Sequence, residues 1–190
     1  MRPFGLNRPS ALLLFGLPLF LLEARAQERW FTREGEIAFT SHTTMETVRA
    51  ENRTVACFFN PMDRLIEVSA LVKGFEFQKA SMQEQFNREL MESDTWPKVI
   101  FNGKVLGFVN DVLDRPGPHS FLVAGNLTFH GKTRKMVQPS LWTRAADGTV
   151  NAECNFRVRL SEHDVRVPSV FTDVIPDTVD IRVRLSFKEP

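Results

Sequence analysis

The sequence predicts an all-β fold of about eight antiparallel strands, joined mostly by short turns, with one short helix laid across them. Three observations carry this reading. After Gly35, apolar and polar residues alternate with a period of two through most of the chain, the pattern of strands with one buried face. Turn residues punctuate those runs, as in "NPMD" at 60–63 and "ADG" at 146–148, the latter an Asp-Gly hairpin signal. The period becomes helical in "SMQEQFNRELMES". Eight such strands in sequence suggest an up-and-down barrel, whose interior can hold one small ligand, while a two-sheet sandwich yields the same alternation.

The chain begins with Arg2 and Arg8 ahead of an apolar run from Ala11 to Leu22, followed by Ala24-x-Ala26. That is the anatomy of a secretory signal peptide. The run is interrupted by Gly16 and Pro18 and is too short to cross a bilayer. Residues 1–26 are therefore read as a removed signal peptide, with cleavage near Ala26, and 27–190 as a single domain. The expected location is periplasmic or secreted, without stable membrane insertion.

The strands follow in order. "GEIAFTS" places Ile37, Phe39 and Ser41 on one face, and "TVACFF" does the same with Val55, Cys57 and Phe59. In "LIEVSALVKGFEF", Ile66, Val68, Ala70 and Val72 oppose Glu67, Ser69 and Lys73. The helical spacing of Met82, Phe86 and Leu90 predicts a helix over Ser81–Met91, with Ser81 as N-cap and Glu84 three residues on. Asp94 to Pro97 ends it, since the residue before a proline leaves the helical region. Val99 and Phe101 then share a face, as do Phe121, Val123, Gly125, Leu127 and Phe129. "KTRKMVQPSLWTR" runs back. In "TVNAECNFRVRL", Ala152, Cys154, Phe156, Val158 and Leu160 point in, and Val179, Ile181, Val183, Leu185 and Phe187 do so in the last strand. A 16-residue connection, Glu162 to Asp177, carries Phe171; loops of that length usually have a task.

Composition excludes several functions. Without Arg2, Arg8, Arg25 and Glu23, the mature chain keeps 21 basic and 22 acidic residues, a net charge of −1. Neither this balance nor the scattered Lys and Arg fits a nucleic-acid partner. The chain has 17 Phe and no Tyr, which gives apolar ring area with no hydroxyl to satisfy. Cys57 and Cys154 both face inward. Across an open interior their Cα atoms would lie beyond the roughly 4.4–6.8 Å a disulfide needs, so two free buried thiols are expected. The histidines His42, His119, His130 and His163 are at least eleven residues apart, without the paired spacing of a metal site. There is no Gly-x-Ser-x-Gly, no glycine-rich phosphate loop and no cysteine in a basic setting. No catalytic residue, metal or cofactor is expected, and an enzyme is not. In "GNLTFHGKTR", 125–134, the alternation puts His130 on the outward side at a strand end beside a turn at Gly131.

The motif Gly-x-Leu-Thr-x-His-Gly-x-Thr in that stretch resembles the signature of the YceI-like, polyisoprenoid-binding family of exported bacterial proteins. Other segments agree in order and spacing: "GEIAFTSHT", then "MQEQFNRELMESDTWPKVIFNGKV", then "FRVRLSEHDV" and "DTVDIRVRLSF". The resemblance spans roughly Gly35 to Phe187. It implies a lipocalin-like barrel that takes a long-chain apolar lipid, isoprenoid or quinone-like or fatty-acid-like, for transport, storage or protection. The alternative is an all-β interaction or stress-response module without lipid. Expected lumen residues are the inward Phe39, Val55, Phe59, Val68, Phe101, Phe121, Val123, Leu127, Phe129, Phe156, Val158, Ile181 and Val183. The expected mouth is Phe75, Phe77, Met82, Phe86 and Trp96 around the helix, with Phe171 from the long connection. Self-association as a homodimer stays open.

Overall fold

The structure, a computed structural model, describes residues 29–42, 47–109, 111–167 and 176–188. The segment read as a signal peptide and Phe171 lie outside the described residues.

Strands β1 (Trp30–His42), β2 (Thr47–Asn60) and β3 (Leu65–Leu71) precede a two-residue strand β4 (Glu76–Phe77) and helix α1 (Ala80–Gln85). Strands β5 (Lys98–Leu106), β6 (His119–Phe129), β7 (Lys132–Arg144), β8 (Val150–Arg159) and β9 (Thr178–Phe187) follow. The sheet order is β1-β9-β8-β7-β6-β5-β3-β2, with β1 also pairing β2, and β4 adds to β2. The β1–β2 pairing closes the ring. The molecule is therefore an eight-stranded antiparallel up-and-down barrel rather than a sandwich, and closure removes every long edge.

Cross-strand partners share a face, so the inward set propagates around the wall. Cys57 pairs Val68, Val68 pairs Phe101, and Phe101 pairs Leu127. On the other side Ile37 pairs Val183 and Phe39 pairs Ile181. The β6–β7 hairpin turns on two residues, His130 and Gly131, with φ of 48° and 70°. Two successive left-handed residues are what a tight hairpin of matching twist requires. Here His130 stands where Asn is commonest.

One end of the barrel is plugged with aromatic rings. Trp142, Phe59, Phe108 and Phe187 are buried to 2% or less. The Trp142 ring lies 5.0 Å from Phe59 and 5.7 Å from Phe108, and stacks on Phe187 at 6.1 Å. A 3₁₀ turn at Val112–Asp114 brings Leu113 under the same cluster.

The other end carries α1. It runs directly into a π-helical turn, Phe86–Leu90, so the helical segment covers 80–90. Ser81 is not the cap. Lys79 is, without a side-chain hydrogen bond, and its carbonyl accepts from Met82 and Gln83. Ser81 lies inside the first turn and is exposed. The Met91 amide donates to the Phe86 carbonyl at 2.9 Å, the wider repeat of a π turn. Among the described residues, no helix is long and apolar enough to cross a membrane.

Candidate functional site

The barrel is hollow between its plugged base and the helix. The cavity has a volume of about 270 Å³. Trp142, Ala152 and Leu185 form its floor, on top of the aromatic plug. Above them lie Ile37, Val68, Val123, Gln138, Ser140, Cys154 and Val183, then Phe39, Phe101, Leu127, Met136, Phe156 and Ile181. The rim is built from Phe75, Phe77, Met82, Phe86, Leu90 and Met91 on the helix side, with Phe129, Val158, Leu160 and Val165 opposite. Phe39 anchors the rim aromatics. Its ring stacks on Phe86 at 5.5 Å and lies 5.6 Å from Phe77 and 5.7 Å from Phe75.

Ten of the thirteen expected lumen residues line this cavity: Phe39, Val68, Phe101, Val123, Leu127, Phe129, Phe156, Val158, Ile181 and Val183. Val55, Phe59 and Phe121 do not. They point inward, but at the plugged end: Val55 and Phe59 are fully buried, and Phe121 packs 5.4 Å from Phe108 and 6.2 Å from Trp142. Alternation assigns a face, not a height along the axis. Of the expected mouth, Phe75, Phe77, Met82 and Phe86 line the opening. Trp96 does not; it is 39% exposed and lies over the β6–β7 turn, 6.2 Å from the His130 ring. That packing fits the glycine at 131, where a Cβ would meet the Trp96 ring at 2.6 Å.

His130 stands at the strand end beside the turn and outside the lumen, as alternation expects, but it is covered rather than exposed. Its side chain is only 10% exposed. Its Nδ1–H donates to the His163 carbonyl at 3.1 Å, while Nε2 is buried, has no hydrogen bond, and lies 3.8 Å from a Glu92 carboxylate oxygen. His163 is buried, stacks on Phe129 at 3.7 Å, and donates from Nδ1 to the Lys132 carbonyl at 3.1 Å. Burial is the main cause holding its pKa below the ordinary imidazole value, against backbone hydrogen bonds to Lys132 and Phe129. These contacts tie the connection after β8 to the hairpin and back the wall at Phe129. Among the described residues, no group of three His, Cys, Asp or Glu is placed to hold a metal ion.

The lining is overwhelmingly apolar, and among the described residues no Lys, Arg or His belongs to it. Glu153 contributes to the wall, but its carboxylate accepts from Asn155 at 3.0 Å and lies 3.7 Å from the Arg184 guanidinium. Both cysteines are free. Burial pushes the Cys154 thiol up to about 11. Burial and then the Glu67 charge push the Cys57 thiol up further. Gln138 was not expected in the lumen. It lies on β7 with Met136, Ser140 and Trp142, opposite Val123.

A closed antiparallel barrel with an apolar hollow defines a lipocalin-like barrel protein. The chain belongs to the YceI-like domain family, whose model matches residues 30–187. Three solved structures are similar in fold. A polyisoprenoid-binding domain from Saccharophagus degradans, implicated in plant cell wall breakdown, has a TM-score of 0.76 and 11% identity, over 86% of this chain and 99% of its own. BcnA of Burkholderia cenocepacia has a TM-score of 0.64 and 17% identity, over 80% and 95%. A YceI protein of Campylobacter jejuni has a TM-score of 0.54 and 11% identity, over the whole of both chains. No curated protein matches the sequence.

Proposed function

We propose that the protein binds a long-chain apolar lipid in the barrel lumen and carries or shields it outside the cytoplasm. The observation that carries this reading is the cavity itself: about 270 Å³ with a lining almost free of polar groups, between an aromatic plug and a phenylalanine-rich rim. Its size lies just under the roughly 300–1,000 Å³ usual for small-molecule sites, so one segment of chain fills it and the rest of a long lipid runs out through the mouth. Family membership and the polyisoprenoid-binding relative support the same ligand class. Both also favour a binding role over a catalytic one.

Native mass spectrometry of protein purified from its own host tests the reading. The expected result is a population heavier than the polypeptide, which collapses to the bare mass after solvent extraction and is restored by added isoprenoid. A bare mass throughout, with no uptake, would instead support an all-β interaction module. The intact mass also tests export, because cleavage after Ala26 leaves a chain starting at Gln27.

A further inference from the structure

Three polar side chains stand deep in the otherwise apolar lumen, and two of them are fully engaged. The Ser140 hydroxyl donates to the Phe121 carbonyl at 3.1 Å and accepts from the Trp142 indole N–H at 3.0 Å. The Cys154 thiol donates to the Pro139 carbonyl at 3.4 Å. The third is Gln138, whose carboxamide makes no side-chain hydrogen bond to any described residue. In register it sits opposite Val123, one inward step toward the mouth from the Ser140–Phe121 pair that rests on Trp142. It is near the floor.

An unpartnered amide in an apolar setting is unfavourable unless something in the cavity satisfies it. The rest of the lining limits what that can be. Among the described residues no Lys, Arg or His lines the cavity, and the carboxylate that does, Glu153, is engaged by Asn155 and Arg184. A phosphate or an ionised carboxylate brought to this depth would be a desolvated charge without a counter-ion. A neutral oxygen has no such penalty, and a carboxamide can donate to a carbonyl or accept from a hydroxyl. Near the mouth, Ser41 also lines the cavity and is the rival anchor; its Oγ has no hydrogen bond but is itself shut off from solvent, whereas the Gln138 side chain is only partly buried.

We propose that Gln138 reads the head of the bound lipid: its carboxamide takes one neutral carbonyl or hydroxyl oxygen at the lumen floor, so the lipid sits head-first with its hydrocarbon toward the Phe39–Phe86 rim. This rests on the lumen being the lipid site. It adds a direction of entry and a class of ligand, lipids with an uncharged oxygen terminus.

The test compares farnesol, its deoxy hydrocarbon and farnesyl phosphate, titrated into delipidated wild-type, Q138L, Q138M and S41A proteins. Far-UV circular dichroism and thermal melts check the fold; Q138L is expected to melt no lower than wild type, since it removes an unpartnered amide. In wild type farnesol binds more tightly than farnesyl phosphate. The farnesol-to-hydrocarbon affinity ratio falls about tenfold in Q138L and Q138M, and S41A leaves it unchanged. An unchanged ratio in both Gln138 variants, with both ligands still bound, overturns the head-group assignment alone. So does a ratio that collapses in S41A. If wild type takes up neither farnesol nor hydrocarbon, the lumen reading itself fails and this one with it.

Discussion

The width of the lumen depends on a pair of glycines. Gly103 and Gly125 face each other across β5 and β6, and the far edge of the Phe101 ring occupies the space a Cβ would take at either. An alanine Cβ at 125 would sit 2.3 Å from the Asn102 carbonyl oxygen, 2.6 Å from Gly103 Cα and 2.7 Å from the Phe101 ring. Ordinary contact begins near 3.4 Å, so the carbonyl must give way by about 1.1 Å. It cannot do so cheaply, because adjacent strands are held about 4.8 Å apart by their ladder. Forcing a methyl group into such packing destabilises by about 1–3 kcal/mol. The opposing gain, a less flexible unfolded chain, is only about 0.4–1 kcal/mol. Strain wins. The mid-range net is about 1.3 kcal/mol, so at about 2–4 °C per kcal/mol for a domain of this size, Gly125→Ala is expected to melt roughly 3–5 °C below wild type. The Phe101 ring, pushed off the wall, also enters the cavity, so uptake of a lipid probe should fall. Thermal melts followed by circular dichroism and a binding titration measure both effects. A variant that melts at or above the wild-type temperature and binds normally would refute the argument that glycine is needed here for space.

Other perturbations separate the lumen from the plug. Val183→Phe adds a ring where there is a hollow, so it should abolish lipid uptake with little change in melting temperature. Phe59→Ala, at the plugged base, should destabilise by about 3–5 kcal/mol, read as a lower urea midpoint. The His163 imidazole is held below its ordinary pKa, chiefly by burial. The unfolded chain therefore takes up the proton first: its contribution to stability is complete above about pH 6.5 and is lost as pH falls through the folded-state value. The melting temperature should drop between pH 7 and pH 5, and His163→Gln should flatten that slope. Cys154, pushed up to about 11, and Cys57, pushed further, hold almost no thiolate at pH 8. Native protein should react slowly with a disulfide reagent, unfolded protein rapidly at both sites, and bound lipid should slow Cys154 more than Cys57.

Much of the architecture was legible because alternation reports which face of a strand is buried. In β8, Ala152, Cys154, Phe156 and Val158 all line the lumen, as the pattern of "NAECNFRVRL" implies. What alternation does not carry is depth. Phe39 and Phe59 are both inward phenylalanines, yet one forms the rim and the other the plug, because Trp30 pairs Phe59 at the base while Phe39 pairs Ala50 much nearer the mouth. β7 shows a second limit. Its apolar Val137 and Leu141 are exposed, at 57% and 49%, while Gln138 and Ser140 face in. Hydrophobicity alone therefore selects the wrong face of that strand. The signal that finds Gln138 lies in the turn instead. A two-residue loop at His130–Gly131 sets Phe129 against Lys132, and counting back along the hairpin sets Val123 against Gln138 and Phe121 against Ser140. Since paired residues share a face, inward Val123 requires inward Gln138.

If the lumen takes a lipid as proposed, that polar residue matters because of where such a lipid would come from. Moving a tail from water into the barrel is worth roughly 0.8 kcal/mol per methylene. A lipid leaving a membrane gains almost none of this, since its tail is dry at both ends of the journey. Greasy walls therefore let the barrel accept a tail but give it little power to choose among tails or to extract one. Discrimination has to come from terms that differ between membrane and lumen: the fit of the chain beneath the Phe39, Phe75, Phe77 and Phe86 rings, and a hydrogen bond to an oxygen that would otherwise remain hydrated at the bilayer surface. The second term rewards a neutral head and penalises a charged one, which loses its water and finds no counter-ion among the lining residues. Removing the amide should thus leave a barrel that still takes up hydrocarbon but no longer distinguishes what terminates it.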